Sequence, residues 1–539
     1  MDSVLLIAVA VIMLCVLFNK LSGRLGVPML LAFIVLGMLL GSDGILFKIQ
    51  FDDFNATETL CSVAMIFIMF YGGFGTKWSA ARPVAANAIV LSSVGTVATA
   101  GLVGLFCWQI LKMPVLESFL FGSVISSTDA ASVFAILRSK KLGLKSGTDS
   151  LLEIESGSND PFSYMLTVIM LSLMNGNASG GKVAYMLFAQ VVYGAIGGVA
   201  VAVFALFVFK KFKLPSGGFD AVFMVAVALA AYAVPSYIGG NGFLSAYITG
   251  IILGNRRIPG KQSLVNFFDG VTGFMQMLLF FMLGLLSYPS QLIHVALPAL
   301  AIALFLTFIA RPIAVFLIMT PFGCGFKKQL LVSWAGMRGA ASIVFAIMAV
   351  VDPATTNKDI FHMVFFIVLF SILIQGTLLP FVAKKLDMID SDADVMKTFT
   401  DYSDEVPVQF LHIKLRSPHP WVGKCVKDVV LPPESLFVLL IRDGVKSAPD
   451  GNTVLSDGDV LILSGRAAKS TDCAALFEQT VEKGDGMVGK MLSVLPSDGL
   501  LVVMIKRGDS VVIPRGNTVL HPGDILVMMN KNEMQAANV

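Results

Sequence analysis

Charge is what this sequence has least of. Only 14% of its 539 residues are Asp, Glu, Lys or Arg, and only 5 are His. A water-facing domain carries about a quarter of its residues charged, so most of this chain cannot have a water-facing surface. The net charge of +3 is too small to argue for nucleic acid as a partner. The six cysteines (Cys15, Cys61, Cys107, Cys324, Cys425, Cys473) form no CxxC and stand at no ligand-like spacing from histidine. That excludes a zinc site or a disulfide framework, and they read as reduced apolar fillers. Before the apolar run Val4–Leu17 there is no basic segment, and after it no small-residue cleavage site. The run therefore reads as a first membrane helix rather than a removed leader. No TVGYG-like run occurs, which argues against a potassium-channel filter.

What is abundant is apolar length. Apolar residues make up 56% of the chain, and mean hydropathy is +0.81. Windows of about 17–25 apolar residues, the length that crosses a bilayer, recur along residues 1–386. Spans are expected near 3–19, 28–46, 57–75, 84–111, 115–138, 149–174, 183–209, 219–237, 240–255, 264–287, 293–320, 327–351 and 360–383. Basic residues cluster after every second span. They are Lys20 and Arg24, then Lys77 and Arg82, then Arg138, Lys140, Lys141 and Lys145, then Lys210, Lys211 and Lys213. Arg256, Arg257 and Lys261, then Lys327 and Lys328, then Lys384 and Lys385 continue the series. The alternate loops hold only Lys48, Lys112, Lys182 and Lys358, one apiece. By the positive-inside rule the N-terminus is expected outside and the C-terminus in the cytoplasm, which requires an odd number of spans.

The expected fold is therefore a membrane all-α domain of about thirteen transmembrane helices, as two inverted six-helix repeats plus a linker helix. In that scheme the fifth span corresponds to the twelfth. Both carry a polar, small-residue interruption, Ser126-Ser127-Thr128-Asp129-Ala130 and Gly336-Met337-Arg338-Gly339-Ala340. Interrupted helices at matching places in two halves point to a midplane binding site.

By depth along the spans, five ionisable residues are expected within the hydrocarbon region: Asp129, Glu155, Asp160, Arg311 and Arg338. Left unpaired they would cost about 12–17 kcal/mol in all, so pairing is expected. Two arginines against three acids leave one carboxylate over, which is what a carrier of cations or protons needs. The segment Glu155-Ser156-Gly157-Ser158-Asn159-Asp160-Pro161 holds two of the acids, with Ser156 and Asp160 one helical turn apart on one face. Neither His nor Cys is near, so oxygen ligands and a hard alkali cation are indicated.

Three segments together resemble the monovalent cation:proton antiporters of the NhaP and sodium–proton exchanger branch. These are Gly122–Phe134, Leu152–Pro161 and Gly336–Ile343, and the ESGSNDP form looks most like the bacterial potassium/proton members. The resemblance implies that Asp160 binds either cation or proton. It implies that Ser156 and the Thr128 backbone add cation ligands, and that Asn159 makes the exchange electroneutral. Asp129 would compensate the unwound fifth span, Glu155 would pair with Arg311, and Arg338 would offset the helix ends. It implies no enzyme activity, no cofactor, no metal beyond the alkali cation, and a homodimer among lipids in a bacterial inner membrane. Related members often carry an acid in the third span near Tyr71-Gly72-Gly73. Here Tyr71 and Phe74 stand there and no acid follows.

Composition changes after Leu386. Residues 387–406 read as an acidic linker. Residues 407–470 and 471–539 read as two β-rich copies at an offset of about 65 residues, sharing Gly-Asn-Thr-Val-Leu and Gly-Asp boxes. Each resembles a TrkA-C (RCK C-terminal) subdomain, which implies a ligand-binding regulator. No GxGxxG follows a strand in this region, so a dinucleotide-binding half is not expected. Arg442, Lys506, Arg507 and Arg515 are candidates to meet an anionic ligand, a nucleotide or cyclic dinucleotide. Alternatives to a potassium or sodium antiporter are an RCK-regulated cation channel, a sodium-selective antiporter, or a receptor with a vestigial membrane part.

Overall fold

A computed structural model describes residues 9–17, 29–44, 49–390 and 408–530 apart from short internal stretches. The basic residues Lys20, Arg24, Lys48, Lys140, Lys141, Lys213, Arg257 and Lys358 lie outside the described residues, as do Cys473, Arg515 and most of the expected linker. The chain divides into two compact units, Met1–Ser403 and Asp404–Val539.

The first unit is helical. Its helices are α1 (9–17), α2 (Met29–Leu40), α3 (Phe54–Gly75), α4 (Ala85–Gln109), α5 (Val115–Val124) and α6 (Ala130–Ser139). They continue as α7 (Thr148–Met174), α8 (Gly180–Lys211), α9 (Phe219–Tyr237), α10 (Gly242–Gly254) and α11 (Lys261–Leu286). The last four are α12 (Pro289–Met319), α13 (Phe326–Trp334), α14 (Ala340–Val351) and α15 (Ile360–Lys385). Among the described residues, seven of these are long and apolar enough to cross a membrane: α3, α4, α8, α9, α11, α12 and α15.

Local chemistry sets the ends. Asp53 caps α3 by accepting from the Ala56 N–H at 2.9 Å, and Asn241 caps α10 through the Leu244 N–H at 3.0 Å. Such caps satisfy donors that a helix start leaves free. Helices α3 and α10 pack backbone to backbone, because a side chain at Gly73 or Gly250 would strike the Tyr247 or Phe70 carbonyl. Small residues allow that approach where lipid offers no competing hydrophobic gain. On α8 the buried residues include Ala189, Gly194, Gly198, Ala202 and Ala205, while Phe188, Ile196, Phe204 and Phe207 are exposed. An apolar face of that kind is suited to lipid.

Helix α12 widens into a π-turn at Leu306–Ala310, immediately before Arg311 and Pro312. Pro312 fits there because the turn absorbs the donor it lacks. His362 is buried (6% exposed) beside Phe361 and Tyr288, because α15 is covered there by aromatic rings.

Two short strands stitch two connecting segments of this unit. β1 (Gly143–Leu144), after α6, pairs antiparallel with β2 (Ile389–Asp390), after α15. The Lys145 Nζ–Asp387 Oδ1 pair at 3.0 Å lies beside it.

The second unit contains two four-stranded antiparallel sheets of matching topology. The first, in the order β3-β6-β4-β5, uses β3 (Val408–Lys414), β4 (Leu436–Arg442), β5 (Val445–Ser447) and β6 (Val460–Arg466). The second, in the order β7-β10-β8-β9, uses β7 (Leu476–Thr480), β8 (Leu500–Arg507), β9 (Ser510–Val512) and β10 (Ile525–Asn530). Small apolar cores close each, around Leu415, Leu440 and Leu461 in one copy and Val481, Ile505 and Leu520 in the other.

Candidate functional site

Both interrupted segments are unwound. Residues 126–129 between α5 and α6 and residues 336–339 between α13 and α14 lack helical structure. They touch where they pass, with the Asp129 N–H donating to the Met337 carbonyl at 2.8 Å. A broken helix exposes a negative C-terminal end and a positive N-terminal end. Arg338 answers the first: its Nη1 donates to the Ser126 and Ser127 carbonyls at 2.8 and 2.5 Å, just beyond α5. Asp129 answers the second, because its carboxylate accepts from the Ser132 N–H at 3.2 Å and the Ser132 hydroxyl at 2.5 Å in the first turn of α6.

Helix α7 runs past this crossing and contributes four polar side chains. Glu155 Oε2 accepts from Arg311 Nη2 at 2.8 Å, and both residues are buried (1% and 3% exposed). Asn159 Nδ2 donates to Thr128 Oγ1 and to Glu155 Oε1, the latter at 3.3 Å. The Ser156 hydroxyl donates to the Thr128 carbonyl at 2.8 Å. Asp160, 7% exposed, accepts from the Ser127 hydroxyl.

The charge balance differs from the expectation that two arginines neutralise two acids. Of these five charged residues Arg311 pairs with Glu155, and helix ends take the place of a second pair. Arg338 meets backbone carbonyls and Asp129 meets helix N–H groups. Asp160 is the acid whose charge no such partner meets. It is met by the Ser127 hydroxyl, which can donate to a carboxylate or turn away from a cation.

Asp160 borders two cavities. The larger, about 400 Å³, is also lined by Asp129, Ser156, Glu153, Tyr247 and Asp269. The smaller, about 40 Å³, is lined by Ser127, Thr128, Asp129, Gln276 and Gly339. Ser156 lines the larger cavity and Thr128 the smaller, and the Ser156 hydroxyl to Thr128 carbonyl bond links the two linings. Asn159 Oδ1 is buried with no hydrogen-bond partner. Such an acceptor is satisfied by water or a cation. No group of three or more His, Cys, Asp or Glu side chains with metal-holding geometry occurs among the described residues.

The structure thus brings together Asp160, Ser156, Thr128, Asn159, Asp129, Glu155, Arg311 and Arg338. Ser127 was not selected from sequence, although it sits in the quoted segment. Its meeting with Asp160 is a long-range contact that no local pattern announces. The stripe Asp269, Thr272 and Gln276 on α11 was not selected either: its helical spacing is visible in the sequence, but nothing there ties it to Asp160.

In the second unit the two copies repeat one device. Arg442 donates from Nε and Nη2 to Asp459 at 2.7 Å each, and Arg507 donates likewise to Asp524 at 2.8 and 2.7 Å. Each guanidinium also holds a backbone carbonyl, Val454 or Val519. These bonds hold both aspartates below the usual carboxylate range. Arg442 and Arg507 are therefore engaged inside their own copy, which weakens them as ligand contacts. The Lys506 side chain and Arg515 lie outside the described residues.

Residues 7–385 match the family described as sodium/hydrogen exchanger, transmembrane, and residues 411–470 and 476–537 each match the TrkA-C domain. The chain is 34% identical over 470 residues to the K(+)/H(+) antiporter NhaP of Alkalimonas amylolytica, covering 86% of this chain and 81% of that one. It is 30% identical over 518 residues to the K(+)/H(+) antiporter NhaP2 of Shewanella sp. (strain ANA-3), covering 93% and 89%. The fold is similar to that of the sodium proton antiporter MjNhaP1 from Methanocaldococcus jannaschii at pH 8, with a TM-score of 0.63 at 21% identity, covering 72% of this chain and 99% of that one.

Proposed function

The chain belongs to the sodium/hydrogen exchanger family, and from that premise we propose that it is a secondary cation/proton antiporter whose exchanging group is the Asp160 carboxylate. It is a transporter, not an enzyme. One observation carries the role of Asp160: of the three acids at the crossing (Asp129, Glu155 and Asp160) it is the one that no arginine or helix end meets among the described residues, and it borders both cavities. An acid so placed is stable only with a positive occupant, and proton and cation compete for it. Ser156 and the Thr128 carbonyl complete a cation shell of oxygens, while Asp129, Asn159, Glu155, Arg311 and Arg338 hold the crossing rigid around it.

Potassium is the favoured cation, because the relatives of highest coverage are named for it, and sodium is the second. Because Asn159 is neutral, one positive occupant replaces another. Net exchange then moves no charge, and a membrane potential worth about 2.3 kcal/mol per charge per 100 mV would not drive it. About thirteen spans in two inverted halves, with an outside N-terminus, are supported by the matching breaks at 126–129 and 336–339 and by the basic loops. We assign residues 1–386 to transport, 387–406 to a linker, and 407–470 and 471–539 to a cytoplasmic regulator. The TrkA-C matches support ligand control of transport by that tail. A homodimer in a bacterial inner membrane fits this reading.

The test is cation-dependent proton flux in proteoliposomes. Asp160→Asn should abolish flux driven by potassium or sodium gradients. Retained exchange in that variant would remove Asp160 from the mechanism.

A further inference from the structure

Helix α11 is apolar along most of its length, yet Asp269, Thr272 and Gln276 recur at i, i+3 and i+7 and share one face. All three line the larger cavity, and Gln276 also lines the smaller one beside Asp160. Asp269 at the start of the stripe is exposed, Thr272 is buried and Gln276 is half-buried, and Asp160, which shares both cavities with Gln276, is buried. The stripe spans about 10 Å of helix, at about 1.5 Å per residue.

Two further features fit a bound cation. The Tyr71 hydroxyl donates to Asp269 Oδ1 at 3.3 Å from the opposing helix α3, which fixes the carboxylate towards the cavity. Thr272, one turn deeper and 7% exposed, has a hydroxyl with no hydrogen-bond partner. A buried hydroxyl left open is costly unless water or an ion meets it. On an apolar helix, a carboxylate, a hydroxyl and an amide in series are the oxygen chemistry that strips water from a monovalent cation in steps.

Resting on the antiport reading of Asp160, we propose that Asp269, seated on the Tyr71 hydroxyl, is an outer cation-holding carboxylate of the transport path. It receives the monovalent cation and passes it along the Thr272 and Gln276 face to Asp160. Asp269 is distinct from the exchanging acid: it sets how readily the cation enters, not whether exchange occurs.

The experiment is a potassium and sodium titration of proton exchange by the full-length protein in proteoliposomes, at low and high inert salt. Asp269→Asn should raise the apparent KM for the cation about five-fold or more, the effect of losing roughly 1 kcal/mol of charged contact, while kcat stays within about two-fold. Asp269→Glu should restore most of the affinity. Thr272→Val should raise KM in the same direction by a smaller factor. The KM increase of Asp269→Asn should persist at high inert salt, because a direct contact is not screened as a surface field is. An unchanged KM in Asp269→Asn, or an increase that vanishes at high salt, overturns the outer site. Either result would leave antiport intact wherever Asp160→Asn is still inactive. Exchange surviving in Asp160→Asn would instead strike the reading on which the outer site rests.

Discussion

Gly339 and Asp129 meet at the crossing of the two unwound segments: a methyl group added at Gly339 would stand 2.2 Å from Asp129 Oδ2. The carboxylate that caps α6 occupies the space where a side chain on the other segment would be. The first turn of α6, the crossing and the Arg338 contact are therefore fixed by one missing Cβ. Gly336 plays a similar part beneath the Arg311 side chain, where a methyl would stand 2.5 Å from Nε.

Gly339→Ala should accordingly damage transport more than its size suggests. Overpacking typically costs about 1–3 kcal/mol, and here relief requires moving Asp129 off its cap. A large fall in exchange rate with modest loss of thermal stability is expected, measured by proteoliposome flux beside a melting curve. Wild-type flux in this variant would show that the close approach is not needed.

The Glu155–Arg311 pair should behave as a buried unit. Removing one partner strands the other charge and costs about 3–5 kcal/mol. Glu155→Gln and Arg311→Met should each lower the melting temperature, and the double variant should fall by less than the sum of the two. Additive losses would mean that the two residues do not act together.

Asn159→Asp replaces a donor to Thr128 and Glu155 with an acceptor facing the Glu155 carboxylate, 3.3 Å from the present nitrogen. Two carboxylates at that range repel. The substitution should lower thermal stability and exchange together, rather than converting a healthy electroneutral carrier into an electrogenic one. A variant of wild-type stability whose flux follows membrane potential would contradict this.

The tail should lose stability in acid. Asp459 and Asp524 are held below the usual carboxylate range by Arg442 and Arg507, so their contribution is full above the unfolded value of about 3.9 and is lost as pH falls through the lower folded value. Arg442→Ala should remove about 1–3 kcal/mol from the first copy and Arg507→Ala a similar amount from the second, without affecting the other copy. Hydrogen exchange of tail peptides in the full chain, read against pH, checks both. Uniform protection after either substitution would sink the paired-device account.

Much of this was legible in the chain because it is local. Spans follow from runs of apolar residues long enough for a bilayer, and the tail repeat from its Gly-Asn-Thr-Val-Leu boxes. The breaks follow from polar and small residues amid apolar ones, and the surplus carboxylate from the cost of burying charge. Ser127 and the α11 stripe were both missed. In each case the deciding neighbour lies on a distant helix.

Composition and order fixed that a negative charge would be placed deep in an apolar helix domain followed by a paired β tail. Only the packed chain decided which acid stays uncompensated. Arg338 turned to the carbonyls beyond α5, and Asp129 turned to the N-terminus of α6. Both choices depend on two unwound segments crossing within hydrogen-bond reach, and that distance is set by three-dimensional packing, not by sequence spacing.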